Sequence, residues 1–252
     1  MFGFLKRKSA PGRVPSVPEG TRVYAVGDIH GRLDLLDRLH AIIVNDWNTA
    51  PTQVAHLIYL GDYVDRGPNS AGVLERLSQE MFVGFRRTLI GGNHEEMLLA
   101  FLDDPNAGTA WRQLGGLETL LSYRVDVPRV LADQGFGGLA NELAARIPDH
   151  HLALLKSLTL ATSVGDYFFC HAGVRPGVPL SAQTPRDLRW IRQEFLSSDQ
   201  DFGAVVVHGH SPTEQPDVRA NRINIDTGAY ATGCLTCLVL EGETRRFLQA
   251  RG

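Results

Sequence analysis

The chain has 252 residues, of which 43% are hydrophobic and 21% are charged, and its formal net charge is −3 with a pI near 6.3. A slightly acidic chain does not favour the broad basic surface of a nucleic-acid binder. No apolar run reaches the ~20 residues of a membrane span, and the amino terminus lacks the apolar core of a signal peptide. We therefore expect one globular domain in the cytoplasm, with no nucleic-acid or membrane partner.

The first 20 residues combine basic side chains with prolines and glycines, and they contain little apolar surface to bury. This composition predicts a flexible tail over residues 1–20. The domain is then expected to cover residues 21–252.

From residue 21 onward, apolar strand patterns alternate with a helical pattern. Strands are predicted to end at Val26, at Leu60 and near Ile90, with helices near residues 32–45 and 70–79 between them. Strand and helix in alternation predict βαβ units with parallel strands, so the fold class is α/β.

The middle of the chain changes to short helical patterns interrupted by prolines and glycines. We expect residues 96–157 to form a helical insert that caps a pocket. Residues 159–170 are predicted to form a hairpin, and residues 222–226, 234–241 and 245–249 to form mostly antiparallel strands. These later strands imply a second sheet packed on the first.

Five short polar motifs stand directly after predicted strands. They are GDIHG (27–31), GDYVDRG (61–67), GGNHE (91–95), CHAG (170–173) and HGHSP (208–212). Ligand crevices in α/β sheets lie outside the carboxyl ends of the strands, so these distant motifs are expected to converge. The candidates for one pocket are Asp28, His30, Asp62, Asn93, His171 and His210.

The chemistry of this set predicts a metal site. It contains two carboxylates, three imidazoles and one amide, and no thiolate, which suits divalent manganese, iron or zinc. Six ligands exceed what one four-coordinate zinc needs, so two metals ~3.5–4 Å apart that share one carboxylate are expected. Asp62 is the expected bridge, and the net positive charge would attract a phosphate.

Most of the remaining cysteines and histidines are expected to have structural roles. Cys234 and Cys237 have CxxC spacing, but on the predicted strand they point to opposite faces, which favours packing over redox or zinc chemistry. His208 shares a strand face with His210 and is an alternative ligand. Four further histidines are expected to be structural or solvated: His40, His56, His150 and His151.

In this order, GDxHG, GDxVDRG, GNHE, HAG and GH-[ST]-P resemble the phosphoprotein phosphatase family of metallophosphoesterases, which includes bacterial and phage-type phosphatases and symmetrical diadenosine tetraphosphatase. The resemblance covers most of residues 21–240. It implies a calcineurin-like α/β/β/α sandwich with a helical cap insert. It also implies two metals, one held by Asp28, His30 and Asp62 and the other by Asp62, Asn93, His171 and His210.

The resemblance also implies catalytic roles. His94 would protonate the leaving oxygen and Asp65 would orient it. Arg66 and Arg192 would bind the phosphate, with Arg189 as a rival to Arg192.

Three positions, compared with the usual residues of the family, bear on the substrate class of this chain. Gly91 stands where family phosphatases commonly have arginine, whereas Glu95 matches phosphatases rather than tetraphosphatases, and Leu114 replaces a usual asparagine. Since the insert holds few cations, a long polyphosphate has little countercharge outside the metals, and a monoester is favoured.

The expected function is that of a Ser/Thr phosphoprotein phosphatase, which hydrolyses phosphomonoesters of proteins or small molecules by metal-activated hydroxide. The cofactor is expected to be two divalent metal ions, manganese first and iron or zinc otherwise. The alternatives are a symmetrical diadenosine tetraphosphate hydrolase and a non-catalytic module that binds phosphorylated ligands.

Overall fold

The computed structural model describes residues 14–79 and 82–252, which form ten strands and ten α-helices. In chain order, the amino-terminal half contains β1 (Thr21–Val26), α1 (Leu33–Thr49), β2 (Val54–Tyr59), α2 (Ser70–Ser78), β3 (Arg86–Leu89), α3 (Asn93–Asp103), α4 (Gly108–Gln113) and α5 (Gly116–Ser122). The remaining elements are α6 (Val127–Arg146), α7 (Asp149–Ser157), β4 (Ala161–Val164), β5 (Tyr167–Cys170), α8 (Pro185–Trp190), α9 (Gln193–Leu196), β6 (Val205–His208), β7 (Asp217–Val218), β8 (Arg222–Asn224), α10 (Ala229–Thr232), β9 (Cys234–Glu241) and β10 (Thr244–Arg251).

The first sheet has the strand order β10-β9-β1-β2-β3. Strands β1, β2 and β3 are parallel, and α1 and α2 connect them, so the predicted βαβ units are confirmed. Helix α1 extends to Thr49, beyond its predicted end, and buries Leu36, Leu39 and Ile43, whereas Leu33 is only half-buried. The carboxyl ends of three parallel strands therefore meet at one edge.

The second sheet has the order β4-β5-β6-β8-β7, and the predicted hairpin is its β4–β5 pair. The expectation for the carboxyl-terminal strands needs correction. Strand β8 runs parallel to β6, and β9 and β10 extend the first sheet rather than the second. Strand β9 is buried on both faces, which suits a central position between β1 and β10.

The side chains of the two sheets form three apolar layers. Val23 and Ala25 pack toward the second sheet, while Tyr24 and Val26 of the same strand pack toward helices. A third cluster lies between the second sheet and α8 and α9, around Phe195. This alternation builds the expected α/β/β/α sandwich.

Helices α3 to α7 occupy most of residues 93–157, the region of the predicted insert. Because α3 begins at Asn93, the helical region starts inside the GGNHE motif rather than after it. Among the helices of the described segments, none combines the length and apolarity needed to cross a membrane.

Residues 1–13 of the predicted tail lie outside the described residues. The prediction of a flexible tail is wrong for residues 15–17, because they pack on the domain. Val17 is 3% exposed and donates its N–H to Gly242 O over 3.0 Å. Ser16 donates its N–H to Asp166 Oδ2 over 3.0 Å.

Candidate functional site

The six predicted metal ligands lie together where strands end. The loops after β1, β2, β5 and β6 carry five of them, and the first residue of α3 is the sixth. All six side chains are buried, with exposures between 0 and 5%. They are Asp28, His30, Asp62, Asn93, His171 and His210.

One group of donors surrounds His171. Its Nδ1–H donates to Leu60 O over 2.9 Å, which leaves the lone pair on Nε2. That Nε2 lies 3.0 Å from Asn93 Oδ1, 3.2 Å from His210 Nδ1 and 3.3 Å from Asp62 Oδ1. Electron-pair donors that face one another this closely repel unless a cation lies among them, so this group fits a divalent metal.

A second group lies on the other side of Asp62. His30 donates Nδ1–H to Val64 O over 2.9 Å, and its Nε2 lies 3.6 Å from Asp62 Oδ2. Asp28 Oδ2 accepts the N–H of His210 at 2.9 Å, whereas the buried Asp28 Oδ1 has no hydrogen-bond partner among the described residues. Asp62 thus directs one oxygen toward each group, and the unpartnered Asp28 oxygen fits a cation.

Burial and crowding of charge also favour cations here. Burial raises the pKa of Asp28 well above its usual range, and the neighbouring Asp226 and Asp62 raise it further. Burial raises the pKa of Asp226 to about 6. Burial lowers the pKa of His30 to about 3 and of His210 to about 2, so both rings are neutral, as metal ligands must be.

The backbone at the site is unusual. Five of its non-glycine residues have φ between 46° and 70°, a sparsely populated region: His30, Asp62, Asp65, Arg66 and His210. A Cβ at Gly92 would lie 2.1 Å from Asp62 Oδ1, and one at Gly209 would lie 2.0 Å from Asp28 Oδ1. Both carboxylates therefore require glycine beside them.

His94 and Asp65 form a buried pair, with His94 Nδ1 2.8 Å from Asp65 Oδ2. His94 Nε2 faces the metal-type donors, 3.8 Å from Asp62 Oδ2. Burial lowers the pKa of His94, but Asp62 and Asp65 outweigh it, so the pKa is raised. The arrangement suits a proton donor whose Nε2 faces the site while Asp65 holds the ring through Nδ1.

The helical insert holds Asp65, a contact that sequence reasoning missed. Trp111 Nε1–H donates to Asp65 Oδ2 over 2.9 Å, and Thr119 Oγ1–H donates to Asp65 Oδ1 over 2.6 Å. The stretch WRQLGGLETLLSYR carried both residues, but nothing in its spacing identified a carboxylate some fifty residues earlier as their partner.

Glu95 was also missed as a structural residue. Its carboxylate accepts the backbone N–H groups of Asp62 at 2.9 Å, Tyr63 at 2.7 Å and Gly92 at 2.9 Å. Glu95 therefore fixes the loop that carries Asp62. The available signal was a glutamate at the third position of a helix, where side chains commonly reach back to the helix start.

Arg66 lies at the mouth of the site. Its Nη1 is 3.1 Å from His30 Nε2, its Nε is 3.4 Å from Leu114 O, and its guanidinium carbon lies 4.8 Å from the centroid of the Tyr230 ring. Tyr230 is 39% exposed, so an aromatic face supports Arg66 at the entrance.

The two rival arginines differ in their contacts. Arg189 Nη1 lies 3.4 Å from Glu96 Oε1. Arg192 is exposed, has no ion pair within the described residues, and helps to lower the pKa of His210. Between them in sequence, the Trp190 ring lies 6.4 Å from that of His210. Arg192 is the freer cation beside the candidate metal ligands.

His208 lies away from the donor groups. Its Nδ1–H donates to Gly209 O over 3.0 Å and its ring packs on Phe195, with centroids 4.9 Å apart, so the alternative ligand is not supported. The four other histidines bond side chains elsewhere: His40 to Tyr59, His56 to Thr88, and His150 and His151 to Glu75. Cys170, Cys234 and Cys237 are buried and free.

A profile of the calcineurin-like phosphoesterases matches residues 21–234. The asymmetrical bis(5'-nucleosyl)-tetraphosphatase PrpE of Bacillus thuringiensis (strain Al Hakam) is 26% identical over 235 residues, which cover 84% of this chain and 88% of that protein. Serine/threonine-protein phosphatase 2 of Escherichia coli (strain K12) is 38% identical over 95 residues, or 37% of this chain and 38% of that protein.

Solved structures share the fold at low identity. A crystal structure of a proposed diadenosine tetraphosphatase superposes with a TM-score of 0.61 at 20% identity and covers 96% of both chains. The cold-active protein-tyrosine phosphatase of a psychrophilic Shewanella gives 0.55 at 16% identity and covers 98% of this chain and 87% of that one. Since the donor groups and the profile match agree, this chain belongs to the calcineurin-like phosphoesterases and is a phosphoesterase enzyme rather than a non-catalytic phosphate-binding module.

Proposed function

We propose that this enzyme is a Ser/Thr phosphoprotein phosphatase that uses two divalent cations, with manganese as the expected metal. One cation would be held by Asp28, His30 and Asp62 and the other by Asp62, Asn93, His171 and His210. The opposed oxygens of Asp62, which lie 3.6 Å from His30 Nε2 and 3.3 Å from His171 Nε2, support the bridging role. When bound, the cations supply Lewis acidity that lowers the pKa of a water and neutralises phosphoryl oxygens.

The buried His94–Asp65 pair is the observation that favours a phosphomonoester substrate. A serine or threonine alkoxide is a poor leaving group, so it gains most from a positioned proton donor. His94 would give the proton from Nε2, while Asp65 stabilises the protonated ring at Nδ1. Asp65 is itself held by hydrogen bonds from the side chains of His94, Trp111 and Thr119. A nucleotide polyphosphate is a better leaving group and needs this donor less.

Two arginines would bind the phosphate. Arg66 lies beside His30, and Arg192 lies near His210 on the opposite side of the candidate centre. A guanidinium can bond two phosphoryl oxygens at once, so each arginine can fix the orientation of the phosphate for attack. Arg189 is a weaker candidate because Glu96 lies against its guanidinium.

A dinucleoside tetraphosphate is the second candidate substrate. The relatives that cover most of this chain are named asymmetrical tetraphosphatases, whereas the sequence alone had suggested the symmetrical activity. Product analysis separates the two, because asymmetrical cleavage of diadenosine tetraphosphate gives ATP and AMP and symmetrical cleavage gives only ADP.

The test is a panel of substrates with metal-stripped and metal-restored enzyme. A phosphoserine peptide, an aryl phosphate and diadenosine tetraphosphate are compared at saturating manganese, iron or zinc. We expect the highest kcat/KM for the peptide and the best restoration with manganese. A clear preference for the dinucleotide would reject the phosphoprotein assignment in favour of the tetraphosphatase.

A further inference from the structure

A cleft next to the candidate metal centre contributes only Arg192 to the mechanism above. Its volume is about 500 Å³, and its walls come from α8, α9 and the residues around them. The lining residues are Arg175, Thr184, Arg186, Asp187, Trp190 and Arg192, together with Ile191 and Glu194. A volume of this size falls in the range of small-molecule and side-chain binding sites.

The charges in the cleft divide into a paired set and an unpaired set. Arg175 contacts both acids: its Nη2 lies 2.6 Å from Asp187 Oδ1 and its Nη1 lies 3.2 Å from Glu194 Oε2. Arg186 and Arg192 are exposed and form no side-chain hydrogen bond or ion pair with the residues that the structure describes. The cleft therefore presents two guanidinium groups that are not held in ion pairs, although Arg186 still interacts electrostatically with Asp187.

The cleft and the metal centre share a wall. Trp190 lines the cleft, and its ring lies 6.4 Å from the ring of His210. A substrate whose phosphate lies at the metals can thus extend past Trp190 into the cleft.

We infer that this cleft binds a second anionic group of the substrate, next to the phosphate that is hydrolysed, with Arg186 as the residue that selects it. The inference rests on the proposed function, under which the anion is an acidic or phosphorylated side chain close in sequence to the phosphoserine. A polyphosphate chain offers the same chemistry from another source.

The experiment measures kcat/KM for phosphoserine peptides that carry glutamate or alanine at the second and third positions on either side, with diadenosine tetraphosphate and phenyl phosphate in parallel. The variants are Arg186→Ala and, as a matched control, Arg245→Ala, which removes an exposed arginine of β10 outside the cleft. Thermal unfolding of each variant verifies that it is folded.

For the wild type we expect the best-placed glutamate to raise kcat/KM about three- to tenfold over alanine, within the range of an exposed ion pair with good geometry. The Arg186→Ala variant should lose most of this advantage and the control should keep it. The advantage should also shrink in 1 M salt, where charges are screened within about 3 Å.

Equal rates for acidic and neutral peptides, together with no effect of Arg186→Ala on diadenosine tetraphosphate, would overturn the cleft assignment and leave the proposed phosphatase activity standing. If Arg186→Ala instead lowers kcat/KM for diadenosine tetraphosphate and leaves both peptides unchanged, the second-anion site is supported with polyphosphate as its ligand. In that case the acidic-peptide form of the inference is overturned, and the substrate panel above decides the phosphoprotein assignment.

Discussion

Asp62 is the residue on which both candidate metals would depend, because each of its oxygens faces a different group of donors. We expect Asp62→Asn to abolish hydrolysis and to reduce bound metal below two ions per chain, measured by metal analysis after dialysis. Asparagine keeps the shape and tolerates the positive φ of this position, so the fold should persist. Asp133→Ala, an exposed acid of α6, is the control, and full metal content in Asp62→Asn would contradict the bridging role.

The loss of activity on replacing His94 is expected to depend on the leaving group of the substrate. For His94→Asn we predict a fall in kcat of about 10²–10⁴ on a phosphoserine peptide, the usual magnitude of general acid catalysis, and a much smaller fall on nitrophenyl phosphate. Steady-state kinetics on the two substrates make the comparison. His94 also lies among donors that could bind a metal with His30 and Asp62, so equal losses on both substrates would indicate a ligand or structural role.

At the scale of elements, the insert is expected to contribute to catalysis through Trp111, which bonds Asp65. We expect Trp111→Phe to lower kcat on the phosphoserine peptide about tenfold and to change nitrophenyl phosphate turnover less. The variant loses one hydrogen bond to a charged group, worth about 1.5–3 kcal/mol, while phenylalanine can keep the stack on Phe101, whose ring lies 4.7 Å away. Trp47→Phe, on α1, is the matched control. Uniform loss on both substrates would show that Trp111 only supports packing.

Helix α1 gives a prediction about pH. His40 is buried against β2, with Nε2 2.8 Å from Tyr59 Oη. Burial, and to a smaller extent the charge of Arg76, lowers the pKa of His40 from 6.5 to about 4. The unfolded chain takes up this proton near pH 6.5 and the folded chain only near pH 4. The stabilisation that the neutral His40 ring contributes to the folded state is therefore fully present above pH 6.5. It is lost as the pH falls toward 4, and the free energy of unfolding decreases by about 3 kcal/mol at most.

Urea unfolding at pH 7.5 and 4.5, with chelator in both, measures this loss. The His40→Gln variant should lose less stability than the wild type between the two pH values. An identical loss in both proteins would show that other groups dominate the acid response.

At the scale of the whole molecule, the metals should stabilise the fold, because they bind only where the strands converge. Each ion at a hundredfold excess over its Kd contributes about 2.7 kcal/mol, which corresponds to a Tm shift of roughly 5–10 °C for a domain of this size. Calorimetry of chelated and manganese-restored enzyme measures the shift. A smaller shift is expected for Asp62→Asn, and no shift in the wild type would argue against metal bound to the folded centre.

How far the sequence predicts this molecule depends on the range of the interactions. Local patterns sufficed for β1, α1 and β2, and the polar motifs after the strands located the residues that converge. Pairing between distant strands is not encoded in a local pattern, so the placement of β9 and β10 was wrong. For the same reason the contacts of Trp111 and Thr119 with Asp65, across about fifty residues of chain, could not be foreseen.

The left-handed backbone at five residues of the site has a consequence for directed evolution. Each such residue costs about 1–3 kcal/mol, a cost that glycine or asparagine would reduce. A library selected for heat resistance alone, with a chelator present so that no metal binding is lost, should therefore accumulate these substitutions at His30, Asp62, Asp65, Arg66 and His210. Its most stable members would be inactive, so stabilisation of this enzyme requires a selection that demands turnover at every round.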